Sequence, residues 1–171
     1  MKQPVANIAT VSIALVALFF SAGQLYLQRE QNHIAVQPRL NAYPTNEQKL
    51  ENLGLHIINN GLGPAFMESM DVIVDGVRIE GDGKFFQAAA KLGLVPGCLS
   101  ISEPRPNDSL KTGEEISLIG VPKSAPALQC ASTRLRLMSI TSGRFDFTLT
   151  VKSIYGDRFS YNFKRNIQTP L

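Results

Sequence analysis

Few residues in this chain are of types that do chemistry, and their spacing does not gather them. His33 and His56 are its two histidines. His56 falls inside an apolar stretch, where a packed or rim side chain is the expected role, and two scattered histidines make no Ser/His/Asp constellation. Glu114-Glu115 and Asp71/Asp75 are carboxylate pairs by sequence proximity, and adjacent or hairpin-flanking acids read as solvated surface. Gly61-Leu62-Gly63-Pro64 lacks the Lys-Ser/Thr of a phosphate loop, and Pro64 removes a backbone donor where one would be needed. Cys98 and Cys130 form no C-x-x-C pair and have no His or Cys cluster around them, which argues against zinc. They could form one disulfide in an oxidising compartment, or remain buried thiols in a reducing cytosol. Asn107-Asp108-Ser109 matches a glycosylation acceptor and reads as chance. The inventory implies no catalytic, cofactor-binding or metal-ligating residue, and a chain that is not an enzyme.

The element that positions everything else is apolar. Residues 3–28 contain no Asp, Glu, Lys or Arg, and residues 8–27 are dominated by Ile, Leu, Val, Ala and Phe. A helix of that length, at about 1.5 Å per residue, spans the ~30 Å hydrocarbon core of a bilayer. A permanent single-pass anchor is the favoured reading. A secretory signal cleaved near Ser21-Ala22-Gly23 is the second, although the apolar run continues through Leu25, Tyr26 and Leu27. A buried core helix is the third and weakest. Lys2 lies on one side, and Arg29 and Arg39 lie on the other. The positive-inside rule therefore leans thinly toward a cytoplasmic C-terminal domain and leaves the side open.

About 140 residues remain after the anchor, one ordinary domain. The formal net charge is +3, unevenly spread. Residues 39–115 hold 7 basic and 11 acidic side chains (−4); residues 116–171 hold 8 basic and 2 acidic ones (+6). A single basic face could meet anionic lipid headgroups, but outward strand positions are the preferred explanation. No dense basic patch or reading motif supports nucleic-acid binding.

The pattern along this domain is mainly β. Residues 36–40 lead into a first strand, and residues 53–58 read as a second. Residues 59–65 are dense in turn formers. Residues 71–74 are a strand, Asp75-Gly76 a two-residue hairpin turn, and residues 77–79 the return. Residues 85–92 read as a short helix, capped by Asp82 and ended by Gly93, with Phe85, Phe86, Ala89 and Leu92 on one face. Residues 99–101 and 115–121 are further strands. Residues 103–108 and 122–126 are loops, and residues 132–140 are open between strand and helix. Residues 145–152 and 159–164 alternate apolar and polar with period two around a turn at Tyr155-Gly156-Asp157, so they form a hairpin with one buried face. Short strands between Gly, Pro and Asn turns favour a β-sandwich.

Asn59-Asn60-Gly61-Leu62-Gly63-Pro64-Ala65, followed by Val74-Asp75-Gly76, resembles uncharacterised bacterial single-pass membrane proteins with the same Asn-Asn-Gly-Leu-Gly-Pro-Ala stretch after an N-terminal anchor. In those proteins a basic juxtamembrane stretch leads to a proline. The corresponding positions here are Arg29, His33, Val36, Pro38, Arg39 and Leu40, with Gln37 departing from the pattern. A looser similarity is to immunoglobulin-like adhesion modules of the CARDB kind. The resemblance implies a fold and a bacterial inner-membrane location, and no activity.

Together these readings predict a transmembrane anchor at 1–28, a juxtamembrane linker at 29–38, and an immunoglobulin-like antiparallel β-sandwich with one short helix at 39–171. The expected structural turns are Asn60, Gly61, Gly63, Pro64, Asp75, Gly76 and Gly156. The lipid bilayer is the expected partner of residues 8–27. The expected role is a non-enzymatic, membrane-anchored interaction or scaffold module with a protein partner. The alternatives are an accessory subunit of a larger membrane complex, or a secreted or periplasmic binding domain after signal cleavage.

Overall fold

The computed structural model describes residues 3–45, 52–138, 140 and 143–171, with side chains from residue 10 onward except Asn52. The chain divides into two compact units, residues 1–35 and 36–171. The first is α1 (Gln3–Ala35), continuous over 33 residues. Its Thr10–Ala35 stretch is long and apolar enough to cross a membrane. The helix does not stop at residue 28. It runs through most of the expected linker, because the polar residues from Gln28 to Ala35 include neither glycine nor proline to break it.

The second unit is two packed antiparallel sheets. The strands are β1 (Leu40–Thr45), β2 (Asn52–Asn59), β3 (Ala65–Val74), β4 (Val77–Arg78), β5 (Ser100–Ile101), β6 (Ser109–Leu110), β7 (Glu115–Pro122), β8 (Phe145–Lys152), β9 (Arg158–Asn162) and β10 (Ile167–Pro170). One sheet runs β1-β2-β7-β5; the other runs β10-β9-β8-β3-β4, with β6 on β3. Strict alternation buries Phe145, Phe147, Leu149 and Val151 of β8, and Phe159 and Tyr161 of β9. Phe145, Phe147, Phe163 and Phe85 pack with ring centroids 5.2–6.1 Å apart. This is the centre of the core.

β3 is longer than its apolar end suggested. A bulge between Met67 and Ser69 switches the buried parity from Ala65 and Met67 to Met70, Val72 and Val74. Asp75 and Gly76 both have positive φ (51° and 79°), as a tight hairpin turn requires.

Two short α-helices also belong to this unit among the described residues. α3 (Ala131–Met138) gives a helix to the stretch left open between strand and helix. α2 (Lys84–Lys91) is the expected one, with two corrections. Its N-terminus is not capped by Asp82. Glu103, from the loop after β5, accepts from the Lys84 and Phe85 amides at 3.1 and 3.3 Å. Its buried face is Phe85, Ala88, Ala89 and Leu92, while Phe86 is 56% exposed. At the C-terminus, Gly93 N–H bonds Ala90 O and Leu94 N–H bonds Ala89 O, a Schellman ending around a left-handed Gly93.

Candidate functional site

The turn after β2 is a structural joint. Asn59 is fully buried. Its Nδ2 donates to Gly63 O (2.8 Å) and Leu110 O (3.0 Å), and its Oδ1 accepts from Arg39 N (3.1 Å) and Gly61 N (2.9 Å). Asn60 contributes its backbone N–H to Arg39 O, 2.7 Å away. Neither Gly61 nor Gly63 has positive φ. They are glycines because of space: a Cβ at Gly63 would fall on the Val36 carbonyl, and one at Gly61 on Gln37 O and Arg39 N. The motif therefore clamps residues 36–39, the first of the domain, and Pro64 leads from it into β3. Asp75 does more than turn. Its carboxylate takes a bidentate pair from Arg144 (2.7 Å twice), and that hydrogen-bonding guanidinium holds the carboxyl below its ordinary range. Gly156 (φ 89°) closes the β8–β9 turn by donating to Ser153 O.

The register of β2 on β7 assembles polar side chains that sequence spacing kept apart. His56 is 5% exposed, with Nδ1 2.7 Å from Glu115 Oε1. Glu115 is thus a half-buried partner of His56, not solvated surface, whereas Glu114 stays in the turn beside Lys111. Tyr43 stacks on His56 at 6.0 Å, and Ser117 lies directly across from it. A carboxylate beside an imidazole and a hydroxyl supplies the residue types of a nucleophilic triad. Ser117 Oγ, however, is sealed from solvent and has no hydrogen-bond partner among the described residues. The arrangement presents no nucleophile to a substrate and works as cross-strand polar packing.

A cleft of about 500 Å³ opens beside the β3 bulge, lined by residues 68–70, 81–84 and 103–106. Three of its charged residues are tied to the protein: Glu68 to Arg158 at 2.7 Å, Lys84 Nζ to Met70 O at 2.5 Å, and Glu103 to the start of α2. It also offers the exposed Asp82 and Arg105, and no group of three or more His, Cys, Asp or Glu residues is placed to hold a metal among the described residues.

The outer edge of β1 is closed. The Leu40 and Ala42 amides point away from β2 and donate to Gln168 Oε1 (2.9 Å) and Tyr161 Oη (2.7 Å), and Pro44 has no donor. Gln168 Nε2 also reaches Pro38 O at 2.7 Å. Cys98 and Cys130 are joined as a disulfide, Cα–Cα 5.6 Å, linking the turn Pro96–Cys98 to the residue before α3. No protein-family model, curated protein or solved structure matches the chain.

Proposed function

We propose that this chain is a single-pass, membrane-anchored, non-enzymatic interaction module of a bacterial inner membrane, with its domain on the oxidising side. The observation that carries the reading is α1, a helix apolar and long enough to span a bilayer, joined to a separate sandwich unit. The Cys98–Cys130 disulfide supports the oxidising side, because such bonds persist outside the reducing cytosol. This outweighs the one-residue difference in flanking basic charge that leaned to the cytoplasm. The strand order supports an immunoglobulin-like reading. β1-β2-β7-β5 facing β9-β8-β3 follows the order A-B-E-D facing G-F-C, with β4 as an added C′ strand. The disulfide departs from that pattern, since it does not bridge the sheets. With β1 closed to strand addition, a protein partner would use the cleft beside the β3 bulge.

Paired C-terminal alkaline phosphatase and fluorescent-protein fusions test the side. Phosphatase activity with a full-length, membrane-retained chain is expected. Fluorescence alone, or a product shortened by the anchor, refutes the reading. A photocrosslinking residue at Ser69 tests the cleft; a discrete adduct absent with the same residue at Asn60 is expected, and no adduct counts against it.

The accessory-subunit reading keeps one specific support. Gly23 leaves a notch on α1 between Phe19, Phe20, Gln24 and Leu27, where another helix could approach closely. Replacing Gly23 with Leu should then disrupt assembly on a native gel, and unchanged migration sinks this alternative.

A further inference from the structure

The region joined by the disulfide has a charge pattern unlike the rest of the domain. Residues 83–102 and 116–145 contain no Asp or Glu and six basic residues: Lys84, Lys91, Lys123, Arg134, Arg136 and Arg144. Lys84 and Arg144 pair with Asp71 and Asp75, and Arg134 donates to Ala125 O at 3.4 Å. The others belong to α2, α3 and the loop before α3.

α3 carries an apolar stripe facing solvent. Thr133 and Leu137 are its buried side, with Cys130 and Ile140 at its ends. At 3.6 residues per turn, Ala131, Leu135 and Met138 lie on the opposite side. Leu135 is 70% exposed and Met138 50%, and Leu128, in the preceding turn, is 94% exposed. Arg134 and Arg136 flank the stripe. On the buried side, the Val95 amide donates to Thr133 Oγ1 at 3.2 Å and ties the turn before the disulfide to α3. The disulfide fixes this turn and helix to the fold.

Exposed Leu and Met with basic flanks and no acid form the pattern of a helix lying in a membrane interface. The stripe exposes on the order of a few hundred Å², below the roughly 800 Å² per partner of a standard protein interface. The chain also brings its own bilayer. Past Leu27, α1 adds eight helical residues, about 12 Å of rise, before the domain begins at Val36. A domain tethered so closely meets headgroups at high effective concentration.

We propose that α3 and the Leu128 turn dock the domain on anionic phospholipid, with Leu128, Leu135 and Met138 inserted at the headgroup boundary and the exposed Lys91, Lys123 and Arg136 supplying the positive charge. The proposal rests on the anchored reading of α1.

The chain contains no tryptophan, so a single introduced one is an unambiguous reporter. The full chain carrying Leu135→Trp is reconstituted into phosphatidylcholine vesicles with and without phosphatidylglycerol, using lipids with brominated acyl chains. Blue-shifted, bromine-quenched emission in the anionic vesicles is expected. Lys91→Gln with Lys123→Gln should weaken docking by about fivefold per lysine. Leu128→Trp is a second reporter, at a side chain whose exposure leaves no packing to disturb. Water-like, unquenched emission overturns the proposal, as does equal quenching in neutral vesicles. A blue shift that fades as protein is diluted in lipid also overturns it, in favour of a second copy of this chain. Carbonate extraction separates the two failures. A released chain refutes the anchor, and a retained chain with water-like tryptophan refutes the docking alone.

Discussion

Asn59 and Asn60 are adjacent, chemically identical and built into the same turn, yet their replacement by alanine should give opposite results. Asn59→Ala removes four hydrogen bonds from a fully buried side chain: two accepted from the Arg39 and Gly61 amides, two donated to the Gly63 and Leu110 carbonyls. At about 0.5–1.5 kcal/mol net for each bond, with more where a buried amide is left unpaired, the loss is about 3–5 kcal/mol. That is a large fraction of the ~5–15 kcal/mol that holds an ordinary domain folded. Asn60→Ala keeps the one contact that matters, the backbone N–H to Arg39 O, and should change stability by less than about 0.5 kcal/mol. The assay is urea unfolding of the full chain in detergent micelles, followed by near-ultraviolet circular dichroism of the buried aromatic cluster. A shift in midpoint at constant slope reads the difference. A loss below about 1 kcal/mol for Asn59→Ala would mean that water replaces the side chain, and that the turn does not clamp residues 36–39.

Other substitutions test other joints. Gly61→Ala and Gly63→Ala should each cost more than about 3 kcal/mol, because the added Cβ meets backbone that cannot yield. Gly76→Ala, strained in φ with open space around it, should cost about 1–2 kcal/mol, and equal losses in a midpoint comparison would contradict the packing argument. Glu103→Ala should cost about 1 kcal/mol through the start of α2, while Asp82→Ala should be near neutral; the reverse order would restore a local cap. Reducing Cys98–Cys130, which are 32 residues apart, should lower stability by about 3–4 kcal/mol, matched by the Cys98→Ser/Cys130→Ser double variant, and an unmoved midpoint under reductant would refute this. Burial holds the Tyr161 hydroxyl above its ordinary range. Its folded form thus keeps the proton longer than the unfolded chain, so its contribution is intact below pH ~10 and lost as pH rises through the folded value. Tyr161→Phe should cost about 1–3 kcal/mol at neutral pH, through the Ala42 amide it leaves unpaired, and should flatten the alkaline fall; an unchanged alkaline profile would place that titration elsewhere.

What the sequence disclosed depended on whether a signal was local. Alternation in β8 and β9 was legible because each strand buries one face against one core. β3 showed only its second half, because the bulge at Glu68 inverts the parity and a period-two pattern reads as interrupted there. Phe85, Ala88, Ala89 and Leu92 satisfy helical spacing as well as the face containing Phe86 does, and the sheet beneath decides between them. Glu103 caps a helix nineteen residues before it, so no capping signature exists to read. His56 meets Glu115 and Ser117 only through a register shifted between Leu55 and His56, which spacing along the chain cannot supply. β10 is four residues long, with no buried alternation, and had no signal.

That last strand matters if the chain is anchored as proposed. Confinement to a bilayer raises the encounter rate between copies, and an open strand edge is a template for pairing them. The first strand of the domain, β1, is such an edge by position in its sheet. Its outward amides at Leu40 and Ala42 are taken by Gln168 of β10 and Tyr161 of β9, and Pro44 removes the next donor. The C-terminal strands therefore complete a sheet and also close the edge of the opposite one. Association through β1 would require breaking those two hydrogen bonds first. Under the proposed interaction role, recognition would fall to surfaces that side chains define, the cleft at the bulge and the apolar stripe of α3, where charge and shape set specificity in place of backbone pairing.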